Sequence, residues 1–382
     1  MQVIFIIDKQ DSILSVTIHR KKQVDLYQQS AQSALEFQFN YYGIKAHYPT
    51  IQNTSQNDQQ GYSVSSNAYG LWHQAELKSF WKNGIPPIDL HQQFSVFQII
   101  DSLPSLILLD TTLELEIAKG TLLEGEIALK SGLVRPSSRY EIRYTGDSLK
   151  IQTRDSTWKN WKKWIWSTAS AREWAHDLDS VNPTSSSIHI SQNTYQDTLF
   201  KAKIIKISDS SHFENCILYA QKIFIQGRST FKNCQIIAQD SLVINLKTPQ
   251  NSTNFFWLNP STKDTLIKPM MTVVNYEGRG QFIVADTNYA HKKNADHEGI
   301  LFKSDSLNLV GSIFVYGEAQ IHGKIEGLVI VKNLSTELNG TLWKGFVIDL
   351  QIKPLTKKLK VPLIFPALIT PQSFFYEKLD HE

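Results

Sequence analysis

The chain has 382 residues, a net charge of +3, 41% hydrophobic residues and two cysteines. Its 39 lysines and arginines nearly balance its 36 aspartates and glutamates, so charge makes no case for nucleic acid or a strongly acidic ligand. Two cysteines are too few for a disulfide scaffold, no Cys/His spacing reads as a zinc site, and no apolar run approaches the roughly 18 to 20 residues that span a bilayer.

The start, Val3-Ile-Phe-Ile-Ile7, is apolar but short, and it meets Asp8 and Lys9 without the flank or cleavage site of a secretory signal. The spacing of Leu26, Tyr27, Ala31, Ala34, Leu35 and Phe39 predicts a helix from Val24 to Phe39, preceded by the basic cluster His19-Arg20-Lys21-Lys22. Gln52 to Ser66 is rich in Gln, Asn and Ser and is expected to be a loop. Strands are expected from Tyr69-Gly-Leu-Trp72 through Trp81, with Asn83-Gly84 as a hairpin turn, and again over Phe94 to Ile100 and Leu106 to Leu109.

Trp158, Trp161, Trp164, Trp166 and Trp174 follow, interleaved with Lys159, Lys162 and Lys163. Aromatics among lysines can stack on sugars or bases. Packing against the rest of the fold explains them better, because Trp158, Trp161 and Ile165 share a helical face.

The stretch Tyr195 to Ile244 repeats itself at eighteen residues. Tyr195-Gln-Asp197-Thr198 is followed by Phe213-Glu-Asn215-Cys216 and then by Phe231-Lys-Asn233-Cys234. Ala202, Ala220 and Ala238 keep that register, and each copy runs into an apolar segment, the last (Leu242-Val243-Ile244) one residue late. A unit this short cannot bury its own apolar face, so copies must stack into one core. Runs of Ile, Val, Phe and Leu separated by turn residues suit strands. The expected fold is therefore mainly β: a single-stranded right-handed parallel β-helix with coils of about 17 to 18 residues, an N-terminal helix and flanking strands. Cys216 and Cys234 are expected to be small buried residues stacked in adjacent coils rather than a bridge.

Between Asn251 and Glu298 the period breaks, with possible strands only at Thr272 to Asn275 and Gln281 to Ala285. Asp286, His291, Asp296, His297 and Glu298 cluster there, but their spacing matches no metal site and solvated loop residues explain them better. A second group of coils is expected to close the chain. Gly323-Lys-Ile325-Glu-Gly327-Leu-Val329 is answered by Gly340-Thr-Leu-Trp-Lys-Gly345-Phe-Val347, which stacks Val329 and Val347 inward. An early echo, Gly120-Thr-Leu-Leu-Glu-Gly125, suggests that coils begin near Leu103. The division expected is 1–102 as helix and strands, and 103–350 as β-helix with insertions at about 151–187 and 251–299. A tail, 351–382, is expected to lie extended across the last coil.

Taken together, Tyr69-Gly-Leu-Trp72, Leu106-Ile-Leu-Leu-Asp110, Gly120 to Gly125, Lys130-Ser-Gly-Leu-Val134, Asp240-Ser-Leu-Val-Ile244 and Gly340 to Asp349 resemble a family of uncharacterised bacterial proteins with one N-terminal membrane helix and a β-helix. The closing glycines are similar, more loosely, to bactofilins, polymer-forming β-helix proteins. The resemblance implies a cell-envelope location and no reaction. It also implies a membrane helix that these residues lack, so an apolar segment is expected upstream of Met1, and the residues as given are expected to be soluble. The function expected is structural or scaffolding within the envelope, as part of a surface assembly, with other envelope proteins or further copies of the chain as partners. The alternative is a carbohydrate-binding or polysaccharide-degrading β-helix protein. No catalytic residue, metal or cofactor is assigned, and no nucleic-acid partner is expected.

Overall fold

The computed structural model describes residues 18–37, 50–54, 60–69, 72–82, 88–100, 104–108, 114–129, 133–139, 142–144, 146, 151–154, 185–259, 269–284, 300–355, 359–361 and 373–379. It is mainly β, with one helix among these residues and mostly parallel sheet.

The helix occupies 18–37 and takes the basic cluster into its first turns. Its buried face is Val24, Ala31 and Leu35, with Gln28 on the same side. Leu26, expected on that face, lies two residues from Val24, about 200° around the helix, and is exposed. Ala31 and Leu35 pack on Val64, Ala75 and Leu77 of an antiparallel sheet, and the Gln28 amide is held by Ser79 (2.6 Å) and Gln92 (2.8 Å).

That sheet runs Ile51–Thr54, Gln60–Tyr69, Trp72–Trp81, Ile88–Ile100, each antiparallel to the next. The loop expected over Gln52 to Ser66 is thus largely two paired strands. Val64 and Ser66 face inward, Ser63 and Ser65 outward, and cross-strand pairing overrides a turn-like composition. Asn83 and Gly84 lie outside the described residues; the strands on either side pair antiparallel, Trp81 with Ile88. The expected tail is also different. Leu359–Val361 and Ser373–Leu379 both pair antiparallel with Ile88–Ile100, completing the N-terminal sheet instead of crossing a coil.

The remaining strands stack in parallel. Leu199 pairs with Ile217 and Ile217 with Gln235, while Tyr195 pairs with Phe213 and Phe213 with Phe231, so the sequence period of eighteen is the register of the sheets. After Ala220 the register slips by one, Lys222 pairing with Ser241, which is the late residue seen in the third copy. The Tyr195, Phe213 and Phe231 rings stack at 5.5 and 4.9 Å. Asp197, Asn215 and Asn233 turn the corner after them at φ of 48°, 51° and 53°, a conformation that Asn and Asp tolerate best among residues with a side chain.

Among the described residues, much of the excursion expected after Asn251 is paired in the sheet. Gln250–Leu258 and Met270–Val284 pair in parallel with their neighbours, and only 260–268 and 285–299 lie outside the described residues. Its polar start is a cap. The buried Gln250 amide accepts from Phe231 N–H (2.9 Å) and donates to Ser229 C=O (3.1 Å); the buried Asn254 amide accepts from Cys234 N–H (3.0 Å) and donates to Phe231 C=O (2.9 Å). Two side chains thereby replace the next strand of the short sheet Thr194–Gln196, His212–Glu214, Thr230–Lys232.

At the other end the expected neighbours are wrong. Gly323–Glu326 pairs with Leu350–Lys353 and not with the Gly340 segment. Val329 and Val347 are both buried, but they pair with Leu106 and Ile117 respectively. Leu106–Leu108 then pairs with Gly125–Ala128, and that strand with Ile151–Arg154. The early strands therefore extend the stack beyond the late ones. In space the order runs from Ile151–Arg154 through Leu106–Leu108 to Ile300–Leu338, and on through Met270–Val284 to Ser185–Ser191. The glycine echo reflects this contact: Leu122–Leu123 receives Gln351–Ile352, and a Cβ on Gly120 would overlap the Asp349 carboxylate.

One hydrophobic cluster runs the length of the stack, from Leu106 to Ile352. The apolar runs of the long strands form two rows across the sheet, a first through Ile217–Ala220, Phe255–Leu258 and Ile313–Val315 and a second through Ile223–Ile225, Leu242–Ile244 and Met271–Val273. The second run alternates: Ile223 and Ile225 face the core, and the outward row Lys206, Phe224, Val243, Thr272, Lys303 is half-buried or exposed. The first run does not alternate. Tyr219, Ile237, Trp257, Ile283, Phe314 and Ile330 each sit between two core residues and so point outward, yet none is more than 4% exposed. In Met270–Val284 and Ile300–Leu338 a glycine precedes the fully buried run. A Cβ on Gly327 would overlap the carbonyl oxygen of Gly311, and one on Gly311 that of Gly280, because the stacked backbones touch there.

Candidate functional site

Of the residues singled out in the sequence, the tryptophans at 158–174 and the cluster Asp286, His291, Asp296, His297 and Glu298 lie outside the described residues. Cys216 and Cys234 are inside, both free, both buried and both in the core cluster. Their thiols donate to the carbonyls of Glu214 (3.2 Å) and Lys232 (3.4 Å). Interaction with the neighbouring Cys234 lowers the Cys216 thiol, while burial pushes Cys234 up. Asp209 takes a corner at φ 61°, and Glu214 is ion-paired with Lys232 at 2.5 Å. Among the described residues, no group of three or more His, Cys, Asp or Glu is placed to hold a metal.

The segment around Gly340, expected to stack as a coil, forms a hairpin that exposes two large side chains. Ser335–Leu338 and Thr341–Lys344 pair antiparallel around Asn339-Gly340, at φ 50° and 75°. Positive φ at both central residues is the geometry for which Asn-Gly is the strongest local signal. This turn swings Leu342 and Trp343 outward, at 38% and 37% exposure. The Arg139 guanidinium lies over the Trp343 ring at 3.9 Å and the Phe346 ring at 5.5 Å, and its Nε is 3.6 Å from Glu116 Oε1. Such stacking fixes the indole while leaving part of it open.

Beside the hairpin, Lys344 Nζ approaches Glu318 Oε2 at 3.6 Å. Glu318, Gln320 and His322 alternate outward along one strand, and the first two are only 5% exposed. Gln320 Nε2 lies 3.3 Å from His322 Nε2, while Glu318 Oε1 and Gln320 Oε1 meet no hydrogen-bond partner. Trp343 and Lys344 are successive residues of one strand and so point to opposite faces, which makes these two separate groups.

No family model, curated protein or solved structure matches the chain. No helix among the described residues is long and apolar enough to cross a membrane.

Proposed function

We propose that the chain is a non-enzymatic structural or scaffolding protein of the bacterial cell envelope, built on a right-handed parallel β-helix. The observation that carries this reading is continuity. Strands from Ser185–Ser191 through to Ile151–Arg154 pair in one parallel path over one hydrophobic cluster, and two shorter parallel sheets follow the same succession. Such a body presents long, regular outer faces to partners, which are other envelope proteins or further copies of itself. The envelope location rests on the sequence resemblance to anchored β-helix proteins. The test is fractionation of cells expressing the tagged native gene together with capture of bound proteins. Recovery with the envelope and with defined partners is expected; recovery as a free cytoplasmic monomer overturns the proposal.

The second reading, carbohydrate binding, is favoured by the partly exposed Trp343 ring with the Arg139 guanidinium on its face. On a glycan array, a Trp343→Ala variant is expected to lose any binding that the parent shows. Polysaccharide cleavage abolished by Glu318→Gln would turn both readings into an enzyme.

A further inference from the structure

We propose that Cys216 and Cys234 are a redox pair: hydrogen peroxide converts their two thiols to one disulfide, which staples neighbouring coils and is undone by a thiol reductant. The chain has these two cysteines and no others. They lie eighteen residues apart, between the paired positions Glu214 with Lys232 and Ile217 with Gln235. Cys216 therefore stacks on Cys234, and Gln235 N–H donates to Cys216 C=O at 2.9 Å. Stacked residues stand about 4.8 Å apart, inside the roughly 4.4–6.8 Å between Cα atoms that a disulfide spans. Both side chains enter the core cluster, and each thiol donates to the carbonyl two residues back, Glu214 at 3.2 Å and Lys232 at 3.4 Å. The two thiols thus leave their strands on the same side and turn the same way.

Their surroundings divide the roles. Cys216 lies one coil in from Thr194–Gln196, the edge strand of the short sheet, with half-buried Thr198 as its neighbour on that side. Cys234 is closed off on its other side by the buried Asn254 amide, which accepts from its N–H. Interaction with Cys234 lowers the Cys216 thiol and burial raises Cys234, so Cys216 supplies the thiolate that attacks. In the first step the peroxide O–O bond breaks and an S–O bond forms at Cys216. The hydroxide released takes up the proton that Cys216 lost, and leaves as water. In the second step the Cys234 sulfur attacks the sulfenic sulfur. The S–S bond forms, the S–O bond breaks, and a second water leaves with the Cys234 proton. Two electrons have passed from the thiols to the peroxide. Neither thiol reaches the surface, so a second chain or a bulky disulfide is kept out and the bridge forms within one molecule.

The test treats the reduced full chain in native buffer with hydrogen peroxide, then alkylates it in denaturant and reads the intact mass. The expected product is a monomer lighter by a pair of hydrogen atoms that takes up no alkylating agent, and dithiothreitol restores both thiols. A disulfide-linked dimer, a chain that keeps both thiols, or bridging that occurs only after unfolding in urea overturns the proposal. Dimedone, which captures sulfenic acid, reads the order of the steps. Cys234→Ser is expected to be labelled at Cys216, and Cys216→Ser to stay unlabelled; labelling of Cys216→Ser to an equal or greater extent overturns the assigned roles. Should either variant fail to fold, peptide mapping of the unaltered chain oxidised in excess dimedone decides. The adduct is expected on Cys216, and an adduct on Cys234 overturns the assignment.

Discussion

The two rows of apolar runs belong to one parallel sheet, and they differ in what lies behind them. In Ile217-Leu-Tyr-Ala220 or Phe255-Phe-Trp-Leu258 every residue is buried. In Ile223-Phe-Ile225 or Met271-Thr-Val273 only alternate residues are. A parallel sheet covered on both faces reads as a continuous apolar run, and one covered on a single face reads as alternation. The pattern along a strand thus reports on chain lying outside the sheet, at about 1.5–3 kcal/mol for each outward side chain that is covered.

The sharpest test sets Ile237→Asp against Val243→Asp. Both are outward positions on Gln235–Leu246, in the covered and the open run respectively. Ile237→Asp buries an unpaired charge and is expected to cost several kcal/mol, whereas Val243→Asp should cost about 1 kcal/mol or less. Urea midpoints measure both, and equal losses would erase the distinction between the runs.

The junction between the runs comes next. Gly327→Ala drives a methyl group into the Gly311 carbonyl and is expected to cost about 1–3 kcal/mol by overpacking. Gly340→Ala meets nothing within 4 Å and bears only the strain of φ +75°, about 1 kcal/mol. Reversal of that order in thermal melts would mean that the stacked backbones yield at the junction.

The smallest effect is a pH slope at the same corner. Tyr276 is buried, its hydroxyl donates to Arg279 C=O at 2.5 Å, and burial holds its ionisation well above the usual tyrosine value. Below pH about 10 both folded and unfolded states keep this proton. Above it the unfolded state releases the proton and the folded state does not, so stability falls as pH rises, by up to about 1.4 kcal/mol per unit. Tyr276→Phe is expected to start about 1 kcal/mol lower and to lose that slope. A variant with the parent's slope between pH 10 and 12 would show that the hydroxyl is solvated.

Much of the stack was legible because its parts are local. Phe213 and Phe231 name their own partners through an identical setting eighteen residues apart, and the late Leu242 announces the bulge. Partners far apart in the chain left no such mark: nothing in Val329-Ile-Val331 points to Leu106-Ile-Leu108, and the likeness of Gly323 to Gly340 pointed to the wrong pair. Gln250 and Asn254 read as loop because their work is done by side chains standing in for a strand. At the candidate site, Asn339-Gly340 was readable as a turn, while the meeting of Arg139 with Trp343 depends on contacts across 204 residues of sequence.

The place of Leu106–Leu108 bears on how this molecule can change over generations. In an ordinary tandem array, a unit is gained or lost at an end without consequence for the others. Here the two ends of the stack are joined by residues 155–184, and its interior seam joins the segments most distant in sequence. Inserting one eighteen-residue unit would move the ends about 4.8 Å further apart, a distance that the chain between them must also cover. A unit gained or lost within this stack changes the span between two ends that one chain segment joins, a demand that a tandem array with free ends does not meet.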